Sequence, residues 1–328
     1  MAVSLVVMAA VALTAALALP RRLTRVTWAE QEPVLALWVW QCLVATVLLS
    51  CLSALLLGST AVFQSVRAYA FAPAPPRVTA AYAPGAAPAW VTVLTLLLAC
   101  GAAWSGAMLL REIIDARRRR DLRREDLRER APDLPDGLPD GLPDGLSAGM
   151  PDGQPVAHSP LLVLEDEYPD AWLMRGAAPR LVVTTGALRR LTDPQLDAVL
   201  AHELGHAHAR HDWLLQLSTA LATGFPRVPL FAHFRDQTYR LVELAADDTA
   251  SRRCGHLTTA LALIELNQHR GVLSCSSTRR LFGDRVQRLL EPPPRLDRTR
   301  RTATSLAAAL APLVPLLIAF TPALTVLG

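Results

Sequence analysis

Four long apolar runs, at 2–19, 34–57, 90–110 and 305–327, stand out from a chain that elsewhere mixes charged and small residues. The last three are each about the length that crosses roughly 30 Å of hydrocarbon. The first is marginal. It has no basic stretch before it and is followed by Arg21, Arg22 and Arg25, which marks a retained membrane helix rather than a cleaved signal. Pro312, Pro315 and Pro322 predict a kinked last span.

Between the third and fourth runs the period changes. The segments 161–166 (LLVLED) and 180–188 (RLVVTTGAL) predict short strands, separated by YPDAWLMRGAAP with its turn residues. Residues 196–212 then take helical spacing, with Leu196, Val199, Leu200 and Leu204 on the core side. Thr192 is placed to cap this helix, Pro194 sits in its first turn and Gln195 falls at the capping-box position. The apolar stretch 213–234 is broken by Gly224, Pro226, Arg227 and Pro229, too interrupted for a span; a helix and turn suit it better. Further helices are predicted over 237–253, 257–270 (ended at Gly271) and 285–294, the last stopped by prolines.

Charge orients the apolar runs. All the side-chain basicity apart from histidine is arginine, clustered after the first run, after the third (Arg111, Arg117 to Arg120) and before the fourth (Arg295, Arg298, Arg300, Arg301). The positive-inside rule then places the amino terminus and the Ala/Pro-rich loop near 70–89 outside, and 111–303 in the cytoplasm. The net charge of +4 has this membrane explanation, so no nucleic-acid partner is expected. Residues 132–155 repeat Pro, Asp, Gly and Leu with little to bury and read as a disordered tether. The expected division is a membrane region at 1–110, a charged helix extension and tether at 111–160, a cytoplasmic domain at 161–303 and a fourth span at 304–328. The five cysteines lack any C-x-x-C spacing, so neither disulfides nor a cysteine metal site is indicated.

The chemistry lies in H-E-L-G-H. His202 and His206 are four apart and share one helical face, so both imidazoles reach a single Zn²⁺, with Glu203 beside its open side. Catalytic zinc typically takes three protein ligands plus water. The metzincin pattern would need a histidine and a glycine where Asp212 and Ala209 stand, and His208 and His211 rotate off the metal face of a continuous helix. Glu243, in E-L-A-A-D, can supply the third ligand, and Asp247, four residues on, can hold a ligand histidine from behind. The competing reading is a row of solvated acids that also includes Asp248. With the ligands in place, Glu203 serves as general base and then as acid in peptide hydrolysis. Tyr239, Arg285 and Arg288 are the candidate oxyanion stabilisers, with no spacing rule to choose among them.

H-E-L-G-H paired with E-L-A-A-D, the preceding RLVVTTGALRRLTDPQLDAVLA and the flanking helices resemble the membrane-bound gluzincin peptidases. The chain is most similar to the BlaR1/MecR1 type, peptidase family M56, in its compact actinobacterial form, with the membrane-bound M48 peptidases as near relatives. The resemblance implies an α-helical membrane protein with four transmembrane helices and a cytoplasmic, mainly helical α+β zinc peptidase domain. It implies zinc held by His202, His206 and Glu243, catalysis by Glu203 and support from Asp247. As partners it implies the lipid bilayer and a polypeptide substrate, in the sensors a cytoplasmic transcriptional repressor of BlaI type. The antibiotic sensors carry a penicillin-binding domain after their last span, whereas this sequence stops at Gly328, so β-lactam sensing is not expected. The alternatives are an M48-type membrane-protein quality-control or processing peptidase, and a metal-free membrane scaffold. The retained Glu203 and Glu243 argue against the scaffold.

Overall fold

The computed structural model describes residues 2–62, 77–78, 82, 89–130, 161–174, 180–268 and 276–327. The tether at 132–155, Gly271, Cys275 and most of the 70–89 loop lie outside them. The chain divides into two compact units, 1–113 with 215–239 and 295–328, and 114–214 with 240–294. Residues 215–239, inside the stretch read as one cytoplasmic domain, thus group with the apolar helices.

In the first unit the apolar runs form α1 (Ala2–Leu17), α4 (Pro33–Val62) and the start of α5 (Ala89–Arg130), with two short helices, α2 (Leu19–Leu23) and α3 (Trp28–Gln31), between the first two. Among the described residues three helical stretches are long and apolar enough to cross a membrane, α1 being counted together with α2. The count reaches four if the bent pair Arg298–Leu310 and Leu313–Leu324 is one span. That pair lies in α12 (Arg298–Leu310) and α13 (Leu313–Leu327), and its 46° bend falls at Pro312, where the missing N–H breaks the ladder. Leu5, Met8, Ala54, Leu57 and Val91 make a buried core here. Hydroxyls along these helices bond back to their own turns, as Thr46 Oγ1 does to Cys42 O (2.7 Å) and Thr95 Oγ1 to Val91 O (2.7 Å). In hydrocarbon such donors have no water to turn to. Gly58 leaves no room for a side chain, because a Cβ there would overlap Thr95 Oγ1.

The apolar stretch after Asp212 becomes α8 (His211–Gly224), which stops before Pro226. Trp104 Nε1 donates to Gly224 O at 2.7 Å within the first unit. The next helix, α9 (Pro229–Cys254), starts eight residues earlier than the polar pattern at 237 suggests, because Pro229 opens a helix as readily as it interrupts one.

The second unit is built on a three-stranded sheet, β1 (Leu161–Leu164), β2 (Ala171–Met174) and β3 (Arg180–Thr184), in the order β1-β3-β2. β1 runs parallel to β3 and β2 antiparallel, with Ala171 opposite Val183. β2 occupies what the sequence suggests is a turn: AWLM is only four residues long between turn formers. Central β3 buries both faces by simple alternation: Leu181 and Val183 pack with α7 (Asp193–His208), and Val182 packs with Leu162 and Leu164.

The strand expected through 188 ends at Thr184, which starts α6 (Thr185–Arg190) instead. Thr184 Oγ1 accepts from Ala187 N (3.1 Å) and donates to Tyr168 O (2.8 Å), capping the new helix and closing the strand at once. α7 then begins as the sequence indicates, Gln195 Oε1 accepting from Thr192 N at 2.9 Å. Its buried Leu196, Val199 and Leu200 join Ala262 of α10 (His256–Gln268) in one core. Each such side chain contributes about 1.5–3 kcal/mol on full burial. α11 (Ser276–Leu290) completes the unit, ending at Pro292 to Pro294.

Candidate active site

The second unit holds a cleft of about 300 Å³ lined by His202, Glu203 and His206 of α7, Glu243 and Asp247 of α9, Arg285 of α11 and an apolar wall from α7 and α10. Two features of the sequence set this meeting. The i,i+4 histidines share one face of α7, and the i,i+4 acids share one face of α9. Gly205, between the histidines, lets α9 come close: a Cβ there would stand 3.2 Å from Thr249 Cβ and 3.4 Å from Ala246 Cα.

His202 Nε2 and His206 Nε2 are 3.1 Å apart. Glu243 Oε2 is 3.7 Å from His202 Nε2, and Glu243 Oε1 is 3.5 Å from His206 Nε2. Among the described residues these three form a group able to hold a metal, all ligand atoms lying within 4.8 Å of one another. Tetrahedral zinc with bonds of about 2.0–2.1 Å needs ligand atoms about 3.3 Å apart. The two imidazoles and the carboxylate fit Zn²⁺ in donor chemistry, and the separations of 3.1–3.7 Å, measured to one or the other Glu243 oxygen, are close to that value.

Behind this group stands a buried charge cluster. His202 Nδ1 is 3.0 Å from Asp247 Oδ1, and Asp247 is almost wholly buried. Arg285 grips the same carboxylate twice, Nε to Oδ2 at 2.8 Å and Nη2 to Oδ1 at 2.7 Å, and reaches Glu243 Oε2 with Nη1 at 2.7 Å. Burial opposes charge throughout, yet the pairings outweigh it for four of the groups. The His202 ring is raised to about 9 by hydrogen bonds to Asp247 and Glu243 despite its burial. Asp247 and Glu243 stay well below the usual carboxylate range, against burial, because Arg285 and His202 face them. Arg285 is pushed higher still by Asp247, Glu243 and Glu203. His206 is lowered to about 4 by burial and by the positive charge of His202.

The three oxyanion candidates separate. Arg285 lines the cleft, committed to the two carboxylates. Arg288, three residues on and turned to another face of α11, pairs instead with Asp248 (2.7 Å) and is absent from the cleft lining. Tyr239 is exposed, its hydroxyl 3.4 Å from Thr219 Oγ1, and belongs to the first unit. Tyr239 and Arg288 are thus not among the residues that line the cleft, and Arg285 is. His211, which a continuous helix would turn away from the site, packs behind His206 instead.

Residues 147–269 match the family model described as Peptidase family M48. The stretch carrying H-E-L-G-H and E-L-A-A-D is thus similar to a metallopeptidase domain. Over 80 residues the chain is also 36% identical to a protein of Arabidopsis thaliana named plastoglobule-localized metallopeptidase 48, chloroplastic. That alignment covers 24% of this chain and 23% of the relative, so the chain spans about a quarter of the curated protein it matches. No solved structure matches. These likenesses carry the M48 relation expected from the sequence and give no support to the finer M56, BlaR1-type attribution. The cofactor is zinc, as in M48 metallopeptidases, and the His-His-Glu group supplies fitting donors for it.

Proposed function

We propose that the protein is a membrane-bound zinc endopeptidase of the M48 processing or quality-control kind, hydrolysing peptide bonds in cytoplasmic or juxtamembrane proteins. This takes the place of repressor cleavage as the leading reading, because that rested on the M56 resemblance. The observation that carries the proposal is the convergence of His202, His206 and Glu243 in one cleft with Glu203 on its wall.

In this reading His202, His206 and Glu243 hold the metal. Zinc, when bound there, supplies Lewis acidity for the scissile carbonyl and the attacking water. Glu203 takes the proton of that water and returns it to the leaving amine. Asp247 accepts from His202 Nδ1 and fixes the ring so that Nε2 faces the cluster. Arg285 keeps Asp247 and Glu243 ionised and oriented, its fork matching a carboxylate edge. β2 is an edge of the described sheet, and Ala171 at its start lines the cleft, so an extended substrate segment docks along this strand with its bond over Glu203. The apolar wall of Val199, Ala262, Leu263 and Leu266 favours an apolar side chain beside the cleaved bond. The arginine clusters support placing the amino terminus outside and 111–303 in the cytoplasm.

The decisive variant is Glu203→Gln. It should retain zinc close to parent levels and lose activity on unfolded membrane-protein substrates by about 10²–10⁴-fold, since an amide cannot take the proton. Near-parent turnover in a zinc-loaded Glu203→Gln protein would overturn the peptidase reading.

A further inference from the structure

We propose that His211 is the positioning residue of His206, selecting the ring form in which His206 offers Nε2 to the metal. The inference rests on the reading of His206 as a zinc ligand. His211 Nδ1 lies 2.9 Å from His206 Nδ1, with ring centroids 4.9 Å apart and planes at 81°. His211 is buried, only 4% exposed, in a stretch whose neighbours His208 and Trp213 are exposed.

The backbone explains how it gets there. On a continuous helix His211 would sit about 140° around from His206, too far for contact. α7 stops at His208, and Arg210 takes φ 50°, the left-handed region that side chains other than glycine rarely enter. Among the described residues Arg210 is the one non-glycine with positive φ. That turn redirects the chain so that the first residue of α8 folds back onto the last turns of α7. Strain of this kind persists where the surroundings impose it, and here it delivers a single ring to a single atom.

The hydrogen bond carries chemical information. His206 Nε2 faces His202 Nε2 and Glu243 Oε1. To offer that nitrogen's lone pair, the neutral ring must carry its proton on Nδ1. The Nδ1–H then donates to His211 Nδ1, which presents its own lone pair and carries its proton on Nε2. The reverse arrangement, with His211 donating, would put the His206 proton on Nε2 and block ligation. His211 therefore does for His206 what Asp247 does for His202, but without charge.

The test uses the full-length protein, with zinc affinity measured by chelator competition. His211→Phe keeps a ring but removes the acceptor, and should weaken zinc binding about 10–100-fold. His211→Asn places an amide oxygen near the Nδ1 position and should restore affinity close to the parent. Parental affinity in His211→Phe, or equal loss in both variants, would overturn the role. The zinc-loaded parent gives a readout that needs no variant: nitrogen-labelled histidine should show a proton on His206 Nδ1 coupled across the bond to His211 Nδ1. Its absence would also overturn the proposal. His206→Ala separates the two levels of the argument. If His206→Ala keeps its zinc, the ligand assignment itself is wrong; if it loses zinc while His211→Phe does not, only the positioning role fails.

Discussion

Asp247→Asn is the sharpest perturbation of this site, because the exchange is nearly isosteric and every partner of Asp247 is a donor. The carboxylate accepts from Arg285 Nε at 2.8 Å, Arg285 Nη2 at 2.7 Å and His202 Nδ1 at 3.0 Å. An asparagine has one acceptor oxygen and one NH₂ group. If the NH₂ takes the Oδ2 position it opposes Arg285 Nε; if it takes Oδ1 it opposes both Nη2 and Nδ1. The milder choice still buries one donor against another, costing about 1–3 kcal/mol. It also takes from the buried Arg285 one of the two carboxylates it pairs with directly. Outright loss of a buried partner costs about 3–5 kcal/mol, and Glu243 remains, so the metal-free protein should lose roughly 3 kcal/mol in total. Zinc affinity should fall about 10–100-fold as the anion behind His202 disappears. Denaturant titration of the metal-free protein and chelator competition for zinc measure the two effects separately. Asp248→Asn is the control, since that carboxylate pairs with Arg288 and does not line the cleft. Unchanged stability and affinity in Asp247→Asn, or matching losses in Asp248→Asn, would refute this account of the cluster.

Glu243→Ala should abolish stoichiometric zinc, read by metal analysis of purified protein, because two imidazoles alone leave the ion without its anionic ligand. Zinc loading at pH 7.5 should release about one proton, measured by calorimetry in buffers of different ionisation enthalpy. The sign follows from His202: in the metal-free protein its ring titrates at about 9 and so is charged at this pH, whereas a ligand must be neutral. Loading at pH 10, above that value, should release far less.

The parts of the site that sequence makes legible are those carried by one regular element. H-E-x-x-H and E-x-x-x-D each need only the period of a helix, and α7 and α9 present them on single faces. What the sequence hides depends on where the period breaks or where distant elements meet. His211 looks misplaced until the left-handed Arg210 ends the helix. Arg285 and Arg288 are equivalent candidates by sequence, yet three residues of helix send one to Asp247 and the other to Asp248. β2 is hidden for a different reason: its four residues are a strand because β3 pairs with them, not by any preference of their own. The apolar runs were readable from composition alone, while the membership of 215–239 in the first unit was not.

The charges of the cluster also bear on why Glu203 belongs with it. In the metal-free state protonated His202 and Arg285 balance Glu243 and Asp247, so the buried groups cancel without Glu203. Loading replaces the single charge on His202 by the double charge of the ion and leaves an excess positive charge. An ionised Glu203, beside His202 on the same helix and facing Arg285 closely enough to raise it, cancels that excess. On the proposed reading of Glu203 as general base, this balance would couple metal binding to that base, and Arg285 would make the balance work, since without it the two carboxylates would already neutralise the ion.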